Sequence, residues 1–114
     1  MSHRRATLVE VAVLTLLSAA GIAGAADTPL EIPLTIENQQ FQPAEIKVKS
    51  GAPFFLVITN KNAAAAEFES KELRVEKVIP AGKTLKVLIR ALKPGTYPFI
   101  DDFHKQTAGR IVAE

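Results

Sequence analysis

Three glutamates in the middle of the chain carry side chains suited to binding a metal ion. Glu67 and Glu69 are two residues apart, and Glu76 follows further along the chain. In an extended segment Glu67 and Glu69 share one face, where two like charges are unfavourable unless a cation or water separates them. The ordinary alternative is a solvated acidic loop. Spacing alone leaves both interpretations open.

A second candidate lies near the C-terminus, where Asp101 and His104 form an Asp-x-x-His pair. Strand alternation puts Asp101 on the same face as Tyr97 and Phe99, which we expect in the core. An inward carboxylate at a strand end is costly unless it is paired. An Asp-x-x-His pair can provide two ligands to a divalent metal ion. The ordinary alternative is that His104 is a polar loop residue.

Composition removes several other kinds of site. The chain has 114 residues, with 14 Lys+Arg, 12 Asp+Glu, two His and no Cys. This length fits one domain, and the near-balanced charge gives no case for nucleic-acid binding. Without Cys there is no disulfide, thiolate nucleophile, iron–sulfur cluster or thiolate-ligated copper. No Gly-rich phosphate loop is present, and no Ser has the setting of a catalytic triad.

The N-terminus has the three parts of a secretory signal. Arg4 and Arg5 form a basic start, residues 11–20 are a short apolar run, and Ala23-Gly24-Ala25 is a small-residue end. A membrane span needs about 20 apolar residues, so an uncleaved anchor is the less favoured alternative. We predict a signal peptide over residues 1–25, a single domain over 26–114, and export to the periplasm.

The remaining sequence has the pattern of an all-β protein. Short apolar or alternating segments recur between Gly- and Pro-containing turns, which indicates a sandwich or barrel. The predicted strands cover residues 30–37, 45–49, 54–59, 73–79, 85–90, 97–101 and 109–113.

Three motifs resemble the cupredoxin family. Residues 41–51 read F-Q-P-A-E-I-K-V-K-S-G, similar to the family's F-x-P-x-x-I-x-V-x-x-G. Residues 80–82, Pro-Ala-Gly, are similar to its central turn. Residues 94–112 resemble its P-G-x-Y-x-F-x-C-x-x-H…G-x-I-x-V. The resemblance covers nearly all of residues 26–114 and implies a cupredoxin-like Greek-key β-sandwich.

The chain departs from this pattern at the positions of the copper ligands. Asp101 stands where a blue-copper member has Cys, and no Met follows His104. His104 matches the second His of the family, whereas the first would fall near Glu67. A blue copper centre is therefore not available. Oxygen ligands with one imidazole suit iron or cupric ion, and anionic oxygens favour ferric over ferrous iron.

The details of the motifs resemble one branch of the family more closely. E-F-E-S at 67–70 and D-F-H at 102–104 are similar to the cupredoxin subunit of Ftr-type bacterial periplasmic ferrous-iron uptake systems, and distantly to the EfeO cupredoxin domain. This resemblance implies bound iron, and a periplasmic iron-binding protein, a membrane iron permease and a membrane electron acceptor as partners. It also implies ferrous-iron oxidation, with Asp101 and His104 as candidate catalytic residues.

The expected function is thus periplasmic metal binding during ferrous-iron uptake. The expected metal ligands are Glu67, Glu69, Asp101 and His104, with Glu76 as a weaker candidate. A site with few ligands could be completed across a homodimer. In iron oxidation, a bound cupric ion could relay the electron to the partner. Two alternatives stay open on the same fold: a copper-binding carrier or chaperone, and a metal-free adaptor module.

Overall fold

The computed structural model describes residues 28–114 and shows an all-β domain, with no helix in that range. The predicted signal peptide lies outside the described residues. No stretch of residues 28–114 forms a helix that could span a membrane. The strands are β1 (Leu30–Glu37), β2 (Gln40–Gln42), β3 (Glu45–Val48), β4 (Phe54–Asn60), β5 (Ala66–Ser70), β6 (Val75–Ile79), β7 (Thr84–Ile89), β8 (Gly95–Asp101) and β9 (His104–Ala113).

The strands form two sheets that pack as a sandwich. One sheet has the order β2-β1-β4-β7, and the other has the order β3-β9-β8-β5-β6. The β1–β4 and β3–β9 pairs are parallel, and every other pair in the two sheets is antiparallel. The predicted all-β sandwich is therefore confirmed.

The core between the sheets follows from strand alternation. Along β4, alternate residues from Phe54 to Asn60 are fully buried, and the residues between them are partly exposed. Three phenylalanines occupy the centre near β5 and β8. The Phe41 ring centroid lies 4.9 Å from that of Phe99 and 6.2 Å from that of Phe68, both edge-on. Such aromatic packing adds stabilisation beyond area burial alone.

Five elements differ from the sequence prediction. The short β2 (Gln40–Gln42) was not among the predicted strands, and β8 begins at Gly95 rather than at residue 97. β9 begins at His104 rather than at residue 109, because the chain turns directly after β8 and Asp101 pairs with His104. β6 begins at Val75 rather than at residue 73, because residues 71–74 form a turn in which Arg74 has a φ of 59°. β5 was not among the predicted strands, since its inward positions include small or polar residues.

Gly109 allows β9 to pass close to the core. A Cβ at this position would lie 2.6 Å from two ring carbons of Phe99 and 2.9 Å from the backbone oxygen of Ala44. Real Cβ atoms do not approach other atoms so closely, so any side chain here would displace the Phe99 ring or the backbone. This ring belongs to the cluster beneath β5 and β8, which carry the candidate site.

We expect Gly109→Ala to destabilise the fold by about 1–3 kcal/mol, the usual cost of overpacking a core. Urea denaturation followed by circular dichroism measures the change. Phe99→Leu in the same background should recover part of the loss, because it removes the nearest clashing atoms. Additive effects of the two substitutions would contradict this explanation.

Candidate metal centre

The register between β5 and β8 decides which way the candidate ligands face. Phe68 pairs with Asp101, and both side chains are fully buried. Glu67 and Glu69 are the alternate residues of β5 and are partly exposed. Since neighbours along a strand point to opposite faces, the two glutamates lie outside the five-stranded sheet while Asp101 points inward. The predicted inward direction of Asp101 is confirmed.

The Asp101 carboxylate is buried but fully hydrogen-bonded. Its Oδ1 accepts hydrogen bonds from the backbone N–H of Glu67 at 2.9 Å and of Phe103 at 3.1 Å. Its Oδ2 lies 3.0 Å from Nδ1 of His104. The two backbone N–H donors and the contact with the imidazole offset the cost of burying a carboxylate. Asp101 thus connects β5, the turn after β8 and the start of β9.

Side-chain hydrogen bonds hold both ends of β5. Before the strand, Asn60 Nδ2 donates to the backbone oxygens of Ala64 and Ile79, each at 2.9 Å. At its end, Ser70 Oγ donates to the Pro98 oxygen at 2.7 Å and accepts from the Leu73 N–H at 3.1 Å. β5 is therefore fixed against its neighbours, and the outward direction of its glutamates is fixed with it.

Three carboxylates gather on the outer face of this sheet. Glu69 pairs with Glu76 of β6, and Glu67 lies on the same face two residues earlier. One carboxylate oxygen from each of Glu67, Glu69 and Glu76 lies within 4.8 Å of the other two. We call these three residues the glutamate cluster. This spacing lets one cation contact all three carboxylates after small rotamer changes.

The glutamate cluster is electrostatically unfavourable without a cation. Burial raises the pKa of Glu67, and the carboxylates of Glu76 and Asp102 raise it further. The pKa of Glu69 is raised first by burial, then by Asp102 and Glu76, and is lowered by Lys71. Asp102 therefore belongs to the electrostatic surroundings of the cluster. Asp102 is part of the D-F-H motif but was not among the expected ligands.

The expected ligands fall into two neighbouring groups. The glutamate cluster unites Glu67, Glu69 and Glu76, including the residue expected to be the weakest. Asp101 and His104 form a separate hydrogen-bonded pair on the inward side. Within residues 28–114, the glutamate cluster is the one group of three or more His, Asp or Glu side chains that meets metal-ligand spacing. The backbone joins the two groups, since the Asp102 N–H donates to the Glu67 oxygen at 2.8 Å.

The donor atoms do not fit a blue copper centre. Such a centre needs a Cys thiolate, and the chain has no Cys. The position is filled by Asp101, whose oxygens accept hydrogen bonds instead. The single Met is residue 1, so no thioether ligand follows His104. Only carboxylates, imidazole and backbone oxygens remain at this end of the domain.

Two packed sheets, with polar side chains gathered where the start of β5 meets the end of β8, define a small β-sandwich protein. The family model for the cupredoxin-like domain matches residues 7–113. The chain belongs to this family, as its motifs predicted.

One curated protein is similar to the chain in sequence, and two solved structures are similar to it in fold. Uncharacterized protein RP394 of Rickettsia prowazekii is 34% identical over 82 residues, which cover 72% of this chain and 66% of that protein. A second similar protein is the metal-binding domain of the Cu(I)-exporting P-type ATPase CopA of Streptococcus pneumoniae D39, solved with Cu(I). Its TM-score is 0.67 at 16% identity, and the match covers 74% of this chain and 84% of that domain. Auracyanin A, a blue copper protein of Chloroflexus aurantiacus, has a TM-score of 0.64 at 14% identity. The match covers 76% of this chain and 100% of auracyanin A. At such identities the two solved structures support the fold alone.

We expect Glu67→Gln to stabilise the metal-free protein at neutral pH. The folded-state pKa of Glu67 is raised, so its charged form destabilises the fold. This cost is absent below the unfolded-state pKa of about 4.3 and fully present once the pH exceeds the raised folded-state value. The gain in the free energy of unfolding of Glu67→Gln over the parent protein should therefore disappear as the pH falls to about 4. Urea denaturation at a series of pH values, with a chelator present to keep the protein metal-free, measures this gain.

Glu72→Gln is the matched control, because Glu72 is exposed on the turn after β5 and outside the glutamate cluster. It removes the same charge and should produce a smaller change. An equal gain from both substitutions would show that net charge, rather than the cluster, causes the effect.

Proposed function

We propose that this protein binds a divalent metal ion at the glutamate cluster and that its cargo is ferrous iron. The proposal rests on one observation: carboxylate oxygens of Glu67, Glu69 and Glu76 lie within 4.8 Å of one another. Carboxylates that face each other without a paired base gain from an intervening cation. Within the described chain, no Lys or Arg forms an ion pair with any of these three glutamates.

Two arguments support iron as the metal. The donors are anionic oxygens, which suit hard cations and favour the ferric over the ferrous state. The E-F-E-S and D-F-H motifs resemble the Ftr-type iron-uptake subunit, in which ferrous iron is handled and oxidised. Oxidation of Fe²⁺ to Fe³⁺ releases one electron, which on this proposal passes to a membrane electron acceptor.

The proposal includes a cellular setting. A signal peptide over residues 1–25 would deliver the domain to the periplasm, where it would work beside an iron-binding protein and a membrane iron permease. This setting comes from the sequence resemblance and from the signal pattern. A homodimer that supplies further ligands is compatible with an outward-facing cluster of three carboxylates.

Anaerobic titration with ferrous iron tests the proposal. We expect Glu67→Gln, Glu69→Gln and Glu76→Gln each to weaken Fe²⁺ binding, because each removes one anionic ligand. The expected loss is at least about tenfold per substitution, because removing even an outer-shell partner of a metal ligand costs about that much. Binding should also weaken at acidic pH, since the raised pKa values of Glu67 and Glu69 make protons better competitors.

Glu72→Gln serves as the control and should bind Fe²⁺ as the parent protein does. Wild-type affinity in all three cluster variants would reject the glutamate cluster as the site. A parent protein that binds no Fe²⁺ would favour the metal-free adaptor alternative.

Copper is the second candidate, favoured by the copper-binding proteins among the structural relatives. Thiolate and thioether ligands, which select Cu(I), are missing from residues 28–114. Carboxylates with one imidazole would instead take Cu(II). Affinity in vitro does not separate the candidates, because Cu²⁺ outcompetes Fe²⁺ at most nitrogen and oxygen sites. The metal content of protein isolated from periplasm distinguishes the two candidates, and we expect that protein to contain iron rather than copper.

A further inference from the structure

We propose that the outer face of the five-stranded sheet is a docking surface for a second copy of this chain, and that this weak dimer covers the glutamate cluster when no metal is bound. The inference deepens the proposed function, because it names a partner that would regulate access to the metal site. It rests on the proposed function only for its effect on metal binding. This dimer differs from one that would supply further ligands, since here the second copy brings bases to the cluster.

The outer face of this sheet carries opposite charges on its two sides. Strand β8 runs through the middle, with β5 and β6 on one side and β9 and β3 on the other. Glu69 and Glu76 are paired on β5 and β6. Arg110 on β9 and Lys47 on β3 point to the same outer face, because the residue that follows each of them is buried. One side of the face is therefore acidic and the other is basic.

These two sides do not neutralise each other within one chain. Arg110 pairs with Glu45 on the neighbouring strand, with 2.6 Å between Nη2 and Oε1, yet the arginine side chain is 59% exposed. A guanidinium group has five N–H donors, so it can bind a second carboxylate as well. Within the described chain, no ion pair involves Lys47, Glu69 or Glu76. These charges are therefore available to a second molecule.

Apolar groups lie between the two charged sides. Pro98 of β8 pairs with Arg110, and Ile100 of β8 pairs with Glu69 on one side and Ala108 on the other. Pro98 and Ala108 are exposed, and Ile100 is partly exposed. Beside them lies an open groove of about 550 Å³, lined by Pro98, Ala108 and Arg110 among others. An apolar centre with charged sides is the usual anatomy of a protein–protein interface.

The arrangement of the charges is self-complementary. An interface between two identical copies related by a two-fold axis must be so, because the same surface occurs on both sides. Glu69 and Arg110 lie one strand to either side of β8. A two-fold axis in the plane of the interface above β8 therefore places Glu69 of one copy opposite Arg110 of the other, and Glu76 opposite Lys47. Each contact occurs twice, and Ile100 of each copy faces the groove of the other.

The interface is small and depends on its charge pairs. Neighbouring strands lie about 4.8 Å apart, so the face is about 20 Å across its five strands. Such an area supports a transient dimer, and salt weakens charge pairs of this kind. A metal ion at the glutamate cluster would compete for the same carboxylates, since Glu69 and Glu76 cannot bind the cation and the bases of the second copy at once. Metal binding should therefore dissociate the dimer.

Sedimentation equilibrium over a concentration series, with chelator present, tests the dimer. We expect a monomer–dimer equilibrium for the parent protein, and we expect added salt to weaken it. Lys47→Glu and Glu76→Lys should each weaken the dimer at least about tenfold, because like charges then face each other across the interface. A mixture of these two variants should dimerise again, since every opposed pair then has opposite charges. A substitution that merely disturbed its own chain would not be rescued in the mixture.

Lys83→Glu is the matched control, because Lys83 is exposed just before β7 and lies outside this face. It makes the same charge change as Lys47→Glu and should dimerise as the parent protein does. A parent protein that stays monomeric in chelator at every concentration would overturn the inference. Equal weakening by Lys83→Glu and Lys47→Glu, or a mixture of the two charge variants that does not dimerise, would do the same.

Anaerobic addition of Fe²⁺ to the parent protein tests the link to metal binding. We expect Fe²⁺ to shift the equilibrium towards the monomer. Fe²⁺ that binds without dissociating the dimer, or that strengthens it, would overturn the inferred regulation. The two proposals fail separately: if the titration of the glutamate variants rejects the cluster as the metal site, the mixture of charge variants in chelator still decides whether this face joins two copies.

Discussion

The pairing of Phe68 with Asp101 across β5 and β8 is the constraint on which the rest of the site depends. It places one carboxylate inside the sandwich and, because strands alternate, directs Glu67 and Glu69 to the outside. The same register puts the Glu67 N–H within 2.9 Å of Asp101 Oδ1. A shift by one residue would expose Phe68 and bury the glutamates. Core packing of Phe68 against Phe99, at 5.0 Å between ring centroids, therefore fixes the position of the polar groups as well.

A carboxylate at the family's thiolate position changes what this end of the domain requires. A thiolate can be held largely by its copper ion, whereas a buried carboxylate needs hydrogen-bond donors whether or not metal is bound. Asp101 has two such donors in the backbone N–H groups of Glu67 and Phe103, and its other oxygen lies 3.0 Å from His104 Nδ1. The fold is kept while the inward position changes from a soft ligand to a structural acceptor. The carboxylates of this region that have metal-ligand spacing, those of the glutamate cluster, lie on the outer sheet face instead.

Much of the fold could be predicted from the sequence, and the site only in part. Alternation in strands such as 45–48 and the cupredoxin motifs were sufficient for the all-β sandwich and for an inward Asp101. The relation of Glu67 to Asp101 was not predictable, because it depends on the register of two strands more than 30 residues apart. No local pattern encodes that register. For the same reason Glu76 was predicted only as a weaker ligand candidate, because its pairing with Glu69 depends on the β5–β6 register.

The glutamate cluster links stability to ligand binding. Carboxylates whose pKa is raised by burial and by one another weaken the metal-free fold when they are charged. A small domain without disulfides is only marginally stable. The destabilisation caused by these charged carboxylates is therefore tolerated most readily if a bound ligand offsets it. A cation bound to the folded state alone would do so by mass action and would stabilise the fold as its concentration rises. Such a cation would stabilise the pairing of β5 with β6 most directly, because the glutamate cluster lies on these two neighbouring strands.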